Sequence, residues 1–509
     1  MSAEKPTLGR RSVLRMLAAA PAVPAALAGA SSTAQAAERS GSVHTKAGQS
    51  LVSRPDLHPP LVEITTPAAG TEPGYVLLTP AGANVLDAEA VAPRAAVQPG
   101  ALIMDDTGQP VWFAPPAQGG TVIANLQVQQ YQGKPVLTHW EGTVMVPPGF
   151  GYGQYAILDE TYTRIATIKA ANGLQGDMHE LVITPRGTAL IVIYNEVRVD
   201  TTPVGGQPNS KVLEGVVQEI DIASGELLFE WRSLQHVGLD ESAYPVPKDP
   251  EAWHDYIHLN AVCEDGDALL VSARCTHTVY RIDRRTGEIT WRLGGQRSDF
   301  RLGPDAAFAW QHDVRRQPDG TITVFDNADP APPGRGKSRA LALRVDENAK
   351  TADVVRSNES PEGLLAPNQG NNQVLANGHL FVGWGGKPYF TEFGQRDEVL
   401  FHGRFTESIT SYRSYRSAWV GRPLDAPAVA GKPGNGVTSV YACWNGATEV
   451  TGWRVLAGPD AQHVAPVLDA PKSGFETRID VGGAQPFVAV QALDAGGNVL
   501  GTSATVPVA

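Results

Sequence analysis

The chain runs to 509 residues, with 53 glycines, 39 prolines and a formal net charge of −12. So acidic a balance argues against a nucleic-acid or anionic-lipid partner. The glycine and proline content argues against a helical protein and for short strands joined by tight turns. The length exceeds one compact domain, so several domains or one large repeat fold are expected.

The first 36 residues read as a targeting segment. Arg10-Arg11-Ser12-Val13-Leu14-Arg15 has the twin-arginine export pattern, an Ala-rich apolar stretch follows, and Ala34-Gln35-Ala36 is a small-residue cleavage signal. The apolar stretch is short and broken by Pro21 and Pro24, so no membrane span is expected after cleavage. The remaining chain is more acidic still, because the segment carries Lys5, Arg10, Arg11 and Arg15 against Glu4. An exported, extracytoplasmic location follows as an expectation. Residues 37–69 are polar and read as a loose segment.

From residue 70 to residue 421 one theme recurs, and repeats dominate the reading of a fold. A β-rich run meets a turn glycine and resumes as a strand. Asn125…Gly133, His179…Gly187, His258…Gly266, His312…Gly320 and Gly370…Gly378 all share an eight-residue offset. Units close with a second turn and a strand ending in an aromatic: Asp105…Trp112, Asp221…Trp231 and Asp283…Trp291, with Glu392…Leu400 a looser copy. A Pro- and Gly-containing insert, 203–208, widens one unit. A further unit around Tyr75 to Asp105 brings the number to six. The fold class predicted is all-β: a six-bladed β-propeller over residues 70–421. Residues 424–509 alternate apolar and polar positions and predict a small C-terminal β-sandwich. Its Trp444-Asn445-Gly446…Gly452-Trp453 pattern is of fibronectin III or immunoglobulin type, with a packing role.

Cys263, Cys275 and Cys443 are too few and odd in number for a disulfide framework. Cys263 and Cys275 fall on two strands of one hairpin without facing each other, so no bridge is predicted between them.

Equivalent positions in successive blades lie at one height around a central channel, so His179, His258 and His312 are expected to converge. Asn260, two residues after His258, is expected on the same strand face. Arg274 returns to the level of His258 on the next strand, and Asn195 holds the matching position after Gly187. His139, His254 and His277 lie near blade ends, within reach of a substrate. A guanidinium offers a planar fork of donors to an oxyanion, and a neutral imidazole is a nucleophile. Those residues together suit transfer of a sulfuryl or phosphoryl group. Three imidazoles also suit Zn, Cu or Fe, but Arg274 beside them argues against a metal, and no cofactor is predicted. A non-catalytic propeller binding an anionic ligand is the third reading. No phosphate loop, nucleophile elbow or paired zinc-binding motif is found, so nothing points to a nucleotide donor.

His179-Glu180, Ile257-His258-Leu259-Asn260 with Val271-Ser272-Ala273-Arg274, and Trp310-Gln311-His312-Asp313 resemble the motifs of bacterial arylsulfate sulfotransferases over most of residues 70–420. The resemblance implies a propeller enzyme that moves a sulfuryl group from an aryl sulfate donor to a phenolic acceptor through a sulfated histidine. It implies His312 as nucleophile, His258, Asn260 and Arg274 as holders of the sulfuryl oxygens, and His179 as helper to the phenolic oxygen. The N-terminal β-domain and disulfide of well-known members have no clear copy here. The C-terminal sandwich is similar instead to the actinobacterial and fungal branch.

Overall fold

The computed structural model describes residues 44–45, 48–82, 98–328 and 336–509. The export segment therefore lies outside the described residues, as do parts of the segment after it and of the first repeat unit. Strands dominate. The helical turns among the described residues are the short 3-10 segments Thr202–Val204, Ser233–Gln235 and Leu239–Glu241. None of the described helices is long and apolar enough to cross a membrane.

Among the described residues, six sheets of four or five strands follow one another in chain order, antiparallel apart from one short parallel pairing of Arg301–Leu302 with Thr351–Glu359. The second to sixth open with Val122–Tyr131, Leu181–Ile183, Leu259–Asp265, His312–Arg316 and Asn371–Val374, and each of these strands pairs with the next across a predicted turn glycine. Gly187 and Gly266, at φ of 77° and 63°, show why glycine stands at that offset, since the turns require the left-handed region. The second turns are Asx turns: Asp105, Asp221 and Asp283 accept the backbone N–H of Thr107, Ser224 and Thr286, each at 2.8 Å. The strands that follow carry buried Trp112, Trp231 and Trp291.

The first sheet departs from a simple sequential unit. Its strands Tyr75–Gly82, Ala101–Met104 and Pro110–Ala114 are completed by Ile409–Ser417, more than 300 residues away. Val62–Thr66, read from sequence as part of a loose segment, adds a fifth strand to the sixth sheet by pairing with Val399–Phe405. Its alternating half-buried pattern is that of an edge strand, and polarity alone could not distinguish it from a loop.

Most sheets are buried on both faces. Leu190, Val192 and Trp231 of the third sheet share one core with Leu269, Val271 and Tyr280 of the fourth. Amide side chains on the opening strands stitch neighbouring sheets together. Gln127 and Gln129 bond Leu181 and Ile183. Asn260 donates to the Gln311 carbonyl at 2.7 Å, and Asn371 and Gln373 each form reciprocal bonds with the backbone of 414 and 416.

Deeper in the same layer lies a buried ion cluster. Arg413 Nη1 meets Glu180 at 3.1 Å and Asp313 at 3.6 Å, and Arg315 meets the same two carboxylates at 2.7 and 2.8 Å. Arg413 Nη2 donates to the Asn260 carbonyl at 2.8 Å. Register shifts interrupt these pairings after Ala124, Leu259, His312 and Ser411, and Asp313 and Arg413 fall within two of them. A bulge breaks the two-residue alternation and turns polar residues inward.

After residue 427 two smaller antiparallel sheets share a separate core of Val440, Ala442, Ile479 and Val481 against Trp453, Val455, Val488 and Val490. They belong to the same unit, 41–509, as the six sheets. The Trp444-Asn445-Gly446 loop is the fastener. Asn445 exchanges bonds of 2.9 and 2.8 Å with the Phe113 backbone, and Tyr162 Oη donates to the Gly446 carbonyl at 2.8 Å. The three cysteines are buried free thiols, and Cys263 pairs in register with Leu270.

Removing one member of a buried, balanced ion cluster leaves the others uncompensated. Arg413→Met is therefore expected to cost about 3–5 kcal/mol, read as a lower urea midpoint at unchanged slope.

Candidate functional site

His179 and His258 precede their strands, and His312 opens its own. All three are buried and converge at the mouths of the opening hairpins. Ring centroids lie 4.9 Å apart for His179 and His258, 6.5 Å for His179 and His312, and 6.4 Å for His258 and His312. One nitrogen from each lies within 4.8 Å of the other two. They line a cavity of about 150 Å³ walled by Val146 to Gly149, Tyr244, Asp255, Arg274 and Pro367 to Gln369. His258 has a φ of 50°, and Trp310 and Asp313 flank His312 at 55° and 58°. Left-handed backbone at bulky residues costs of order 1–3 kcal/mol each and clusters at functional sites.

Each imidazole has a different partner on Nδ1. His179 bonds Asp177, whose other oxygen accepts the Gly151 N–H at 2.5 Å. His258 bonds Asp255. His312 Nδ1 lies 2.7 Å from Asn327 Oδ1. The Asn327 amide nitrogen donates to the Ala366 and Gln369 carbonyls at 2.8 and 2.9 Å, which fixes its oxygen toward the ring. His312 therefore carries its proton on Nδ1 and keeps a lone pair on Nε2, where the Gln369 backbone N–H donates at 3.2 Å. Burial, reinforced by Arg274 and the neighbouring imidazoles, holds His312 well below the ordinary histidine pKa. Burial also lowers His258, although Asp255 opposes the shift. A neutral imidazole with a fixed lone pair, next to one with a carboxylate partner, can act as nucleophile beside a proton carrier.

Arg274 follows the strand Ala268–Ala273 and points along the cavity wall. Its guanidinium stacks 4.8 Å from the Trp310 ring, and Nη2 donates to the Pro367 carbonyl at 3.2 Å. Buried Nε has no hydrogen-bond partner among the described residues, which leaves a donor for an anionic guest.

Two predicted residues fall outside the cavity lining. Asn260 is the bulged residue between Leu259 and Ala261, so the same-face argument from His258 fails; its amide anchors the Gln311 carbonyl instead. Asn195 sits farther along the long strand Thr188–Val199 and bonds Glu214 at 3.0 Å. His139 and His254 are buried outside the lining, and His277 meets the Trp310 ring edge-on. Sequence reasoning missed Asp177, Asp255, Asn327 and Gln369. Asp177 and Asp255 stand two and three residues before their histidines, and that spacing was the available signal. Asn327 directly follows the strand Ile322–Asp326 after the Gly320 turn, near the offset that marked Arg274.

An all-β protein of repeated sheets that gathers three imidazoles and a guanidinium around one small cavity is the class defined by this fold and site. The family model for arylsulfotransferases (ASST) matches residues 127–406, more than half of the sequence. The chain belongs to the arylsulfotransferase family. No curated protein matches it. Solved structures similar to it include a protein of unknown function from Bacteroides caccae, at 14% identity and a TM-score of 0.40, covering 68% of this chain and 100% of that one. Virginiamycin B lyase from Staphylococcus aureus is 10% identical with a TM-score of 0.28, over 75% of this chain and 94% of that one. An exo-β-1,3-galactanase from Phanerochaete chrysosporium is 8% identical with a TM-score of 0.28, over 72% and 91%.

The tautomer argument is open to test by ring ¹⁵N titration. His312 is expected to stay neutral well into acid. Asn327→Asp puts a carboxylate on Nδ1 and is expected to move its titration upward.

Proposed function

We propose that this chain transfers a sulfuryl group from a phenolic sulfate ester to a phenolic acceptor through a sulfated His312, with no nucleotide sulfate donor. The observation that carries this reading is the unprotonated Nε2 of His312, bordering a cavity that Arg274 also lines; the Gln369 N–H that it accepts at 3.2 Å is released when the lone pair turns to sulfur. His312 Nε2 attacks sulfur, the S–O(aryl) bond breaks, and the departing oxygen takes a proton from His179. Asp177, bonded to Nδ1, orients the His179 ring for that step. An incoming phenol reverses the sequence: its oxygen attacks sulfur, the N–S bond breaks, and His179 recovers a proton. Arg274 donates to the sulfuryl oxygens, joined by His258 once the anion holds a proton on its ring. Asn260 acts at one remove, by anchoring the backbone before His312.

The accompanying architecture is part of the same reading. The six sheets are six propeller blades, closed where Ile409–Ser417 joins Tyr75–Gly82, and the two small sheets are a C-terminal sandwich. Stitching of neighbouring opening strands by side-chain amides supports the ring. The first 36 residues are read as a twin-arginine signal, so the enzyme works outside the cytoplasm.

With a chromogenic aryl sulfate and phenol, His312→Ala is expected to lose transfer, and full activity would move the nucleophile elsewhere. Incubation with aryl sulfate alone is expected to add one sulfuryl mass to the peptide containing His312. Arg274→Ala is expected to lower kcat about 10²–10³-fold. His179→Ala is expected to cost about 10²–10⁴-fold with poor phenolate leaving groups and much less with 4-nitrophenyl sulfate.

A second reading, a metal on the three histidines, has in its favour that their nitrogens lie within 4.8 Å of one another. Elemental analysis of the purified protein decides it: a stoichiometric transition metal would favour that reading.

A further inference from the structure

A second cluster shares His258 but is not used by the transfer chemistry. Asp255, His258 and Cys275 each offer one ligand atom, all within 4.8 Å of one another, and all three residues are buried. Asp255 approaches His258 at Nδ1, the ring nitrogen opposite the one available to the cavity. Its Oδ2 makes that bond, while Oδ1 has no hydrogen-bond partner among the described residues, although the residue is only 2% exposed. An unsatisfied buried carboxylate oxygen is costly and calls for a partner. Asp255, His258 and Arg274 line the cavity, so solvent has a path to the cluster, and Cys275 follows Arg274 directly.

We propose that Asp255, His258 and Cys275 form a site for a thiophilic divalent cation of zinc type, and that occupancy inhibits the enzyme. Sulfur, imidazole and carboxylate are the common zinc donors, with bonds of about 2.0–2.3 Å. The cation takes the position of the proton between His258 and Asp255, the ring proton moves to Nε2 so that the imidazole stays neutral, and the Cys275 thiol proton leaves to solvent. Inhibition follows because His258 can no longer take up a second proton for the anion, and its ring is pulled away from the cavity.

Charge decides between this cluster and the three-histidine ring. A divalent ion on three neutral imidazoles has no anionic ligand and sits beside Arg274, with the Asp177 and Asp255 carboxylates held back behind two of the rings. On the second cluster the Asp255 carboxylate and the Cys275 thiolate cancel its two charges. Burial pushes the Cys275 thiol pKa up, which opposes binding, but a coordinated cation deprotonates a thiol outright.

The test has one arm that needs no activity. Titrating the purified protein with Cd²⁺ alone is expected to raise a cadmium–thiolate charge-transfer band that saturates at one equivalent. Cys275→Ser is expected to lose the band, while Cys263→Ser and Cys443→Ser keep it. X-ray absorption on zinc-loaded wild type is expected to show one sulfur with nitrogen and oxygen neighbours, which covers the case of a variant that fails to fold. A wild type without the band, a band that survives in Cys275→Ser, or a zinc shell without sulfur overturns the proposal.

The second arm rests on the sulfuryl-transfer reading. Zn²⁺ is expected to inhibit wild type, and Cys275→Ser is expected to need at least about tenfold more for the same effect, with metal-free turnover retained. Equal inhibition of both proteins would put the cation on the three histidines and overturn the proposal. Failure of the transfer assay itself would leave the cadmium band intact, so the two readings fail separately.

Discussion

Arg413 is the residue on which most of the rest leans. It comes from the strand that completes the first sheet, yet it contacts Glu180 and Asp313, the residues immediately after His179 and His312. It also holds the carbonyl of Asn260, two residues beyond His258. One fully buried guanidinium thus binds the backbone neighbourhood of all three histidines. A buried ion cluster is weak evidence for stability, because desolvation offsets most of its Coulomb gain. Its value here is geometric: the opening strands of different sheets are held at one height by a group that tolerates little displacement.

That height sets the chemistry. The bulges place polar residues in the cluster layer and leave the histidines just above it, where the strands begin. Each ring is then given its own role through Nδ1. A carboxylate faces Nδ1 of His179 and of His258, and a neutral amide faces that of His312. Three residues of one type, in equivalent positions, are made chemically unequal by partners that the repeat does not share.

Much of this was legible in the sequence. The eight-residue offset marked the hairpins, because glycine and Asx turns leave strong local signals, and it singled out the histidines that the fold brings together. What was not legible has one physical cause. Alternation along a strand holds only while the strand is regular, and a bulge is invisible in a single sequence. Asn260 was assigned to the His258 face on that alternation, and Leu259 to Ala261 is where it breaks. Asn195 failed because it lies inside the strand Thr188–Val199 and bonds Glu214 across it, whereas Arg274 comes just after its strand ends at Ala273 and turns to the cavity. Ile409–Ser417 closing the first sheet is a long-range pairing that no local pattern announces.

That late strand has a consequence for the order of events during synthesis. His179, His258 and His312 all leave the ribosome well before residue 409, but the ring that brings them to one point lacks a member until Arg413 arrives. Until then Glu180 and Asp313 have no Arg413 to oppose them, and the edge of Tyr75–Gly82 stands open. Pairings so distant in sequence are slow to form. A nascent chain can hold all three histidines and still lack the assembled site, which is complete only once Ile409–Ser417 has paired with Tyr75–Gly82.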